Sequence, residues 1–284
     1  MRIISWNTNG LRATVKNGDF LPLFKKYKGD IVCFQETKCE KEQLPKEVQE
    51  VAGYYSYFSH SNERKGYSGV AIYTKIKPDK VEYGMGIKKL DQEGRLLVLY
   101  FNSPLEGCTT CGVDGPIHPV FGLPNPPLKR GIILINGYFP NGGAGPHRLK
   151  YKLKFYDAFL KFINKKRKLG YEIIFTGDVN TAHTAIDLAR PKANEENTGF
   201  LPIERAWIDK VIKNNYVDTF RHLHPNTKDM YTYWDQKTAS RTRNVGWRID
   251  YFFVSSALLP LVRNSSMLTT YPGSDHCPIV LDLK

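Results

Sequence analysis

Residues 172–180 read EIIFTGDVN. A run of apolar and β-prone residues, then Gly177, then Asp178 and Asn180 two positions apart describe a buried strand that delivers polar groups to a surface. Alternation along extended backbone points Asp178 and Asn180 the same way, and Gly177 permits the tight exit that a strand end needs. Taken alone, the stretch fits an Asx turn closing a strand equally well. The rest of the chain repeats the pattern.

Working outward, RIISWN (2–7) is a strand ending in Asn7, followed by an Asn9-Gly10 turn and a helical stretch over about 18–28. DIVCFQE (30–36) is a strand ending in Glu36, with a short helix near 41–51, a Tyr-rich strand over 54–60 and another over 68–74. GRLLVLYF (94–101) and GIILINGY (131–138) are apolar, turn-bounded strands. Between them, residues 103–130 carry six prolines, Cys108, Cys111 and His118 without periodicity, which reads as a long inserted loop. Apolar residues at helical spacing predict an amphipathic helix over 147–168, and a second helix falls near 203–214. RIDYFFV (248–254) and the segment from SDHCP to the last residue close the set of strands. Helices too few for one per strand argue against a doubly wound parallel sheet or a (β/α)8 barrel. A two-sheet sandwich with helices on its outer faces fits.

The 284 residues allow one large domain, and no Pro/Ser/Gly-rich linker or repeat divides them, so 1–284 is read as a single domain. Lys and Arg total 41 against 28 Asp and Glu, a formal charge of +13 that predicts a polyanionic partner. Interleaved Tyr and Trp suit unstacked bases or sugar rings. No apolar run reaches 18 residues, and the N-terminus enters a strand directly, so the expectation is a soluble, unprocessed monomer without membrane contact. Its compartment is then the cytoplasm, nucleoid-associated in a prokaryote, or the nucleus in a eukaryote. Cys33, Cys39 and Cys277 lack regular spacing and sit in or beside apolar strands or motifs, as buried free thiols of a reducing compartment do. Cys108-x-x-Cys111 with His118 lacks the fourth ligand of a zinc site.

Polar residues stand at six strand ends: Asn7, Glu36, Tyr138 with Asn141, Asp178 with Asn180, Asp250, and Asp275 with His276. Turns favour Gly, Pro, Asn and Asp, so Glu, Tyr and His at such places call for another reason. Glu36, Asp178 and Asp275 are hard oxygen donors suited to Mg2+, with Mn2+ able to substitute. Such an ion with a nearby carboxylate base describes hydrolysis of a phosphate ester. His276 beside Asp275, with Asp250 available to fix its tautomer and favour its charged form, suits a phosphate gathering negative charge.

The segments SWNTNGLRA (5–13), CFQETK (33–38), GYSGVAIY (66–73), YFPN (138–141), TGDVNTAHTAIDL (176–188), NEENTGFLPIER (194–205), NVGWRIDYFFVS (244–255) and SDHCP (274–278) resemble, in order, an exonuclease III type abasic-site endonuclease. The wider superfamily includes DNase I, inositol polyphosphate phosphatases, sphingomyelinases and deadenylases. The NTGF and NVGWRIDY segments are specific to the abasic-endonuclease branch.

The resemblance implies a DNase I-like, four-layered α/β sandwich of two mainly antiparallel sheets, with the site at one edge of both. It makes Glu36 the main metal ligand, with Asn7, Asn9 and Asp275 near the ion. Asp178 orients or deprotonates the attacking water and Asn180 helps place it. His276, held by Asp250, contacts the scissile phosphate with Tyr138 and Asn141. Tyr233, Trp247 and Ile249 match the walls of a pocket for a flipped, base-less sugar, and Asn194 and Asn197 match phosphate contacts. Tyr67, Arg241, Arg243 and Arg248 match DNA-facing regions.

The implied substrate is duplex DNA with abasic sites or 3′ blocking groups, cut 5′ to the lesion, with 3′–5′ exonuclease and 3′-phosphatase activity on the same site. The chain departs from the pattern at 142–147, which lacks an inserted arginine, at 237–240, KTAS, which lacks a bulky wedge, and in the 103–130 insertion. A phosphatase of small or lipid phosphates and a catalytically silent DNA-binding scaffold are the alternatives. Net charge and NVGWRIDY oppose the first, and the intact Glu36, Asp178, Asn180 and His276 oppose the second.

Overall fold

The computed structural model describes residues 1–102, 117–118, 123–124 and 130–284. In chain order the elements are β1 (Arg2–Asn7), α1 (Leu11–Lys16), α2 (Phe20–Tyr27), β2 (Ile31–Gln35), α3 (Lys46–Gln49), β3 (Tyr55–Ser59) and β4 (Val70–Thr74). There follow β5 (Lys80–Tyr83), α4 (Lys88–Asp91), β6 (Leu96–Asn102), the two-residue pair β7 (Ile117–His118) and β8 (Leu123–Pro124), β9 (Gly131–Tyr138), α5 (Pro146–Lys168) and β10 (Tyr171–Asp178). The last are α6 (Pro202–Lys213), β11 (Tyr216–Asp218), α7 (Thr219–Leu223), β12 (Asp250–Ser255), β13 (Val262–Met267) and β14 (Ile279–Leu283).

The strands form two six-stranded sheets of matching design, β13-β14-β1-β2-β4-β3 and β11-β12-β10-β9-β6-β5. Within each, one parallel pair, β1/β2 or β9/β10, is flanked by antiparallel neighbours. A parallel pair needs a crossover, supplied by α1 and α2 in the first sheet and by α5 in the second. Both strands of a parallel pair end on the same side, which is what brings Asn7, Glu36, Tyr138 and Asp178 to one region.

Period-two alternation sorts the side chains into layers. Ile3, Cys33, Leu134, Ile174 and Phe252 fill the space between the sheets. Their neighbours Ile4, Phe34, Ile173, Phe175 and Phe253 face outward, the first two packing on α2 and the others on α5 and α6. The expected four-layered sandwich is therefore the observed one, and Cys33, Cys39 and Cys277 are buried free thiols. A buried amide link joins the sheets near the strand ends. Asn136 Nδ2 donates to the carbonyls of Phe34 and Ala71, both at 2.9 Å, and Gln35 Nε2 donates to Asn136 Oδ1 at 2.7 Å.

Several expectations change. The helix expected over 18–28 is α2, and a short helix that was not expected, α1, precedes it beyond the break at Asn17–Gly18. The helix expected over 41–51 is a 3-10 turn (Lys41–Gln43) and α3, interrupted by Pro45. The inserted loop contains the short β7/β8 ladder; Cys108 and Cys111 lie outside the described residues, as do the side chains of 103–129.

Gly177 is not the strand's exit. It lies inside β10 opposite Gly137, at φ 129°, and a Cβ there would sit 1.9 Å from the Gly137 carbonyl oxygen. Gly177→Ala therefore forces the central parallel pair apart and should cost about 3 kcal/mol or more. Thermal unfolding checks this, with a fall of at least about 5 °C expected for a chain of this size.

Candidate active site

The β1/β2 ladder ends at Asn7 opposite Gln35, and in the second sheet Asp178 lies between Tyr138 on β9 and Asp250 on β12. Beyond the ladders the backbone turns sharply. Glu36 and Asn180 both adopt left-handed conformations, φ 53° and 56°. Asn180 thus meets Asp178 by folding back on it, not by strand alternation: its backbone N–H donates to Asp178 Oδ1 at 2.7 Å and its Nδ2 to Asp178 Oδ2 at 3.1 Å. Such strained turns persist where surrounding contacts over-determine them. Asn180 Nδ2 also reaches the Phe139 carbonyl, and Asn141 Nδ2 donates to Asn180 Oδ1 at 3.1 Å.

Asn7 joins the two sheets' contributions, donating from Nδ2 to Asp178 Oδ2 at 2.9 Å and to Glu36 Oε2 at 3.2 Å. Asn9 Nδ2 donates to Asp275 Oδ2 at 3.0 Å. Ser274 Oγ donates to the Asn7 carbonyl and accepts from the His276 N–H, which fixes the last segment over β1. His276 Nδ1 pairs with Asp250 Oδ2 at 2.8 Å, and its Nε2 faces Asp178 Oδ2 at 3.9 Å.

These groups open on a cavity of about 450 Å³. Glu36, Tyr138, Asn141, Asp178, Asn180, Asp275 and His276 line its polar side, and Tyr233, Trp247 and Ile249 its apolar wall. Tyr233 and Trp247 exchange backbone hydrogen bonds at 2.9 Å, and the Tyr233 ring lies 4.9 Å from that of His276. Asn194 and Asn197 are bonded to each other on the adjoining loop, outside the cavity lining.

Burial shifts the titrating groups. Asp178 is pushed up to about 7, chiefly by its burial and then by the charge of Asp250, with His276 opposing. Burial would push His276 down, but the charge and hydrogen bond of Asp250 outweigh it and carry the imidazole up to about 10. The Tyr138 phenol is raised well above its ordinary value by burial and by Glu36. At neutral pH the cavity thus offers a neutral phenol donor, a cationic imidazole and a carboxylate poised to exchange a proton.

The arginines differ from expectation. Arg248 is fully buried between Asp187 and Asp218, at 2.8 and 2.7 Å, and faces no partner outside the chain. It anchors the strand start that carries Trp247 and Ile249. Arg241 donates to the carbonyls of Thr269, Tyr271 and Ser274 and covers Trp234, bracing the segment before His276. Tyr67 lies outside the cavity, where its hydroxyl accepts from Arg95 and Arg148 at 2.9 and 3.0 Å.

Two functional neighbours carried no sequence expectation. Arg95, paired with Glu93, donates to the Tyr138 carbonyl and holds its guanidinium 4.7 Å from the Tyr138 ring centre. An arginine opening the apolar run RLLVLYF was the available signal, since a charge there is buried only with partners. Lys38 places its ammonium 3.0 Å from Glu36 Oε1 and 2.5 Å from Asn9 Oδ1.

Among the described residues no three His, Cys, Asp or Glu side chains come within common ligating distance. Glu36, Asp178 and Asp275 are interleaved with the side-chain amides of Asn7 and Asn9 in a mixed carboxylate and amide rim. The donors on that rim are still hard oxygens, the set that Mg2+ or Mn2+ accepts and that zinc does not favour.

A family model described as the Endonuclease/Exonuclease/phosphatase family matches residues 4–276. The chain is 35% identical over 284 residues to an exodeoxyribonuclease of Bacillus subtilis (strain 168), covering 99% of this chain and 98% of that protein. It is 37% identical over 287 residues to the DNA repair nuclease APEX1 of Danio rerio, covering 100% of this chain and 82% of that protein. The crystal structure of the Xenopus laevis APE2 catalytic domain superposes with a TM-score of 0.82 at 30% identity, covering 100% of this chain and 92% of that one.

Proposed function

We propose that this chain, which belongs to the endonuclease/exonuclease/phosphatase family, is a DNA repair nuclease that hydrolyses the phosphodiester bond 5′ to an abasic site. The products are a 3′ hydroxyl and a 5′ deoxyribose phosphate. The observation that carries the reading is the cavity itself, where Asp178 and His276 face a wall of Tyr233, Trp247 and Ile249. That wall suits a sugar without its base, and an abasic nucleotide lacks the stacking and pairing that oppose its extrusion. The names of its relatives, an exodeoxyribonuclease and a DNA repair nuclease, support the substrate class.

In this reading Asp178 accepts a proton from a water placed by Asn180. The water oxygen bonds to phosphorus, the bond to the 3′ oxygen breaks, and the 3′ oxygen keeps the electron pair and takes up a proton on release. The cationic His276 and the Tyr138 hydroxyl face the phosphate and stabilise its added charge. Glu36, Asp275 and Asn9 would hold a divalent cation, which when bound supplies Lewis-acid stabilisation of the phosphoryl and leaving oxygens. The same groups serve a terminal phosphodiester or 3′ phosphate, which accounts for the proposed 3′–5′ exonuclease and 3′-phosphatase activities.

The test compares duplexes holding one abasic analogue, one deoxyuridine or no lesion, with Mg2+ or EDTA, alongside inositol phosphates. Incision confined to the abasic strand and abolished by EDTA is expected. Turnover of inositol phosphates alone, or incision that survives EDTA, rejects the proposal, and tight DNA binding without turnover favours a scaffold.

A further inference from the structure

Behind the turn that carries Asp178 and Asn180 lies a charge that the proposed reaction does not use. Lys152, on the inner face of α5, is 1% exposed, and its ammonium donates to the Asn180 carbonyl at 2.7 Å, to Thr181 Oγ1 at 2.9 Å and to Glu204 Oε1 at 2.5 Å. Glu204, on the first turn of α6, is wholly buried. Its carboxylate also accepts from Thr198 Oγ1 at 2.8 Å, from the Gly199 N–H at 2.6 Å and from the Leu201 N–H at 3.1 Å.

A buried ion pair of this kind is a poor source of stability, because desolvating both charges offsets their attraction. Its placement gives it another use. On one side it grips the carbonyl of a residue held at φ 56°. On the other it grips the 198–201 segment, whose Thr198 and Gly199 line the cavity. Gly199 packs between the two, since a Cβ there would lie 3.3 Å from the Trp247 ring and 3.4 Å from the Asn180 carbonyl oxygen.

We propose that Lys152 and Glu204 are positioning residues that act as one unit, locking the left-handed Asn180 turn to the cavity wall so that the water-orienting amide and the substrate-facing wall keep a fixed separation. Lys152 draws the Asn180 carbonyl into the interior, which aims the Asn180 side chain at Asp178 and Asn141. Glu204 ties the same ammonium to the wall. Neither residue touches substrate. This inference rests on the reaction proposed above.

The test measures kcat and KM for Mg2+-dependent incision of a duplex with a single abasic site, and Kd for the same duplex in EDTA. Lys152→Met should lower kcat by about 100-fold, the loss associated with displacing a catalytic group by about 1 Å, with KM and Kd within about threefold. Glu204→Gln should lower kcat by about tenfold. The double variant should match Lys152→Met, near 100-fold, because residues that act as a unit are not additive. The double variant strands no charge, so it carries the test should Lys152→Met fail to fold.

A folded double variant with kcat within about threefold of the parent overturns the proposal, as do losses that multiply to about 1000-fold or that reside in KM. A purely structural pair would lower the melting temperature and leave kcat per folded molecule unchanged. If the parent enzyme leaves the abasic duplex intact, the proposed reaction falls; a parent that cleaves with a double variant to match removes only the positioning role.

Discussion

Asp178→Ala is expected to lower kcat on an abasic duplex by about 10³ to 10⁴-fold, the upper part of the range for a lost general base, while Kd in EDTA stays within about threefold. The side chain is 2% exposed, and its two oxygens accept from Asn7 and from the backbone and side chain of Asn180, so its lone pairs are fixed toward one point in the cavity. Its displaced pKa adds a second, less intuitive expectation. A carboxylate raised toward 7 in the folded chain, against about 3.9 unfolded, opposes folding above pH 7, because the folded form holds the proton more tightly. Removing it relieves repulsion with Asp250, and the melting temperature at pH 8 should stay level or rise. Single-turnover kinetics, duplex anisotropy and calorimetry on one preparation check all three. Near-normal turnover would strip Asp178 of its role, and a collapse in stability would make it structural.

The second large effect concerns His276. His276→Gln should reduce kcat by about 10² to 10³-fold, the range for losing one charge-stabilising donor at a phosphoryl oxygen. Asp250→Asn should approach the same loss by discharging the imidazole. With Asp250 present the pair holds the proton to about pH 10; with an amide in its place, burial acts with much less opposition and the pKa drops toward or below the ordinary 6.5. The sign for stability follows. A histidine raised above its unfolded value stabilises the fold fully below about pH 6.5, and that contribution is lost as the pH climbs through about 10. Imidazole NMR titration of metal-free parent and Asp250→Asn measures the two pKa values directly. An unshifted His276 in the parent would defeat the argument.

Much of this site could be read from residue types. Asn7, Glu36, Tyr138, Asp178, Asp250 and His276 each stand at or beside the end of an apolar run, and a strand end is a place where sequence reports position reliably. What could not be read was how the backbone leaves those strands. Glu36 and Asn180 are held at positive φ by long-range contacts, and no local preference of Glu announces that.

The strands that escaped notice are short or lie at sheet edges. KVEY of β5 and VRNSSM of β13 carry little apolar surface, and pairing with β6 and β14 imposes their conformation. Arg248 misled for a related reason. The resemblance matched it to a DNA-facing region, and only Asp187 and Asp218, from 61 and 30 residues away, turn it inward.

The central position of β1 has a consequence for the birth of the protein. β1 borders β2, made soon after it, but its other neighbour is β14, with Ile4 opposite Val280. At about 5 to 20 residues per second, a ribosome needs roughly 15 to 55 s to travel between them. Throughout that interval one apolar edge of β1 stands unpaired, a template for pairing with other chains. Asp275 and His276 emerge only just before that edge is paired, so the rim of the cavity is completed at nearly the same moment as the sheet.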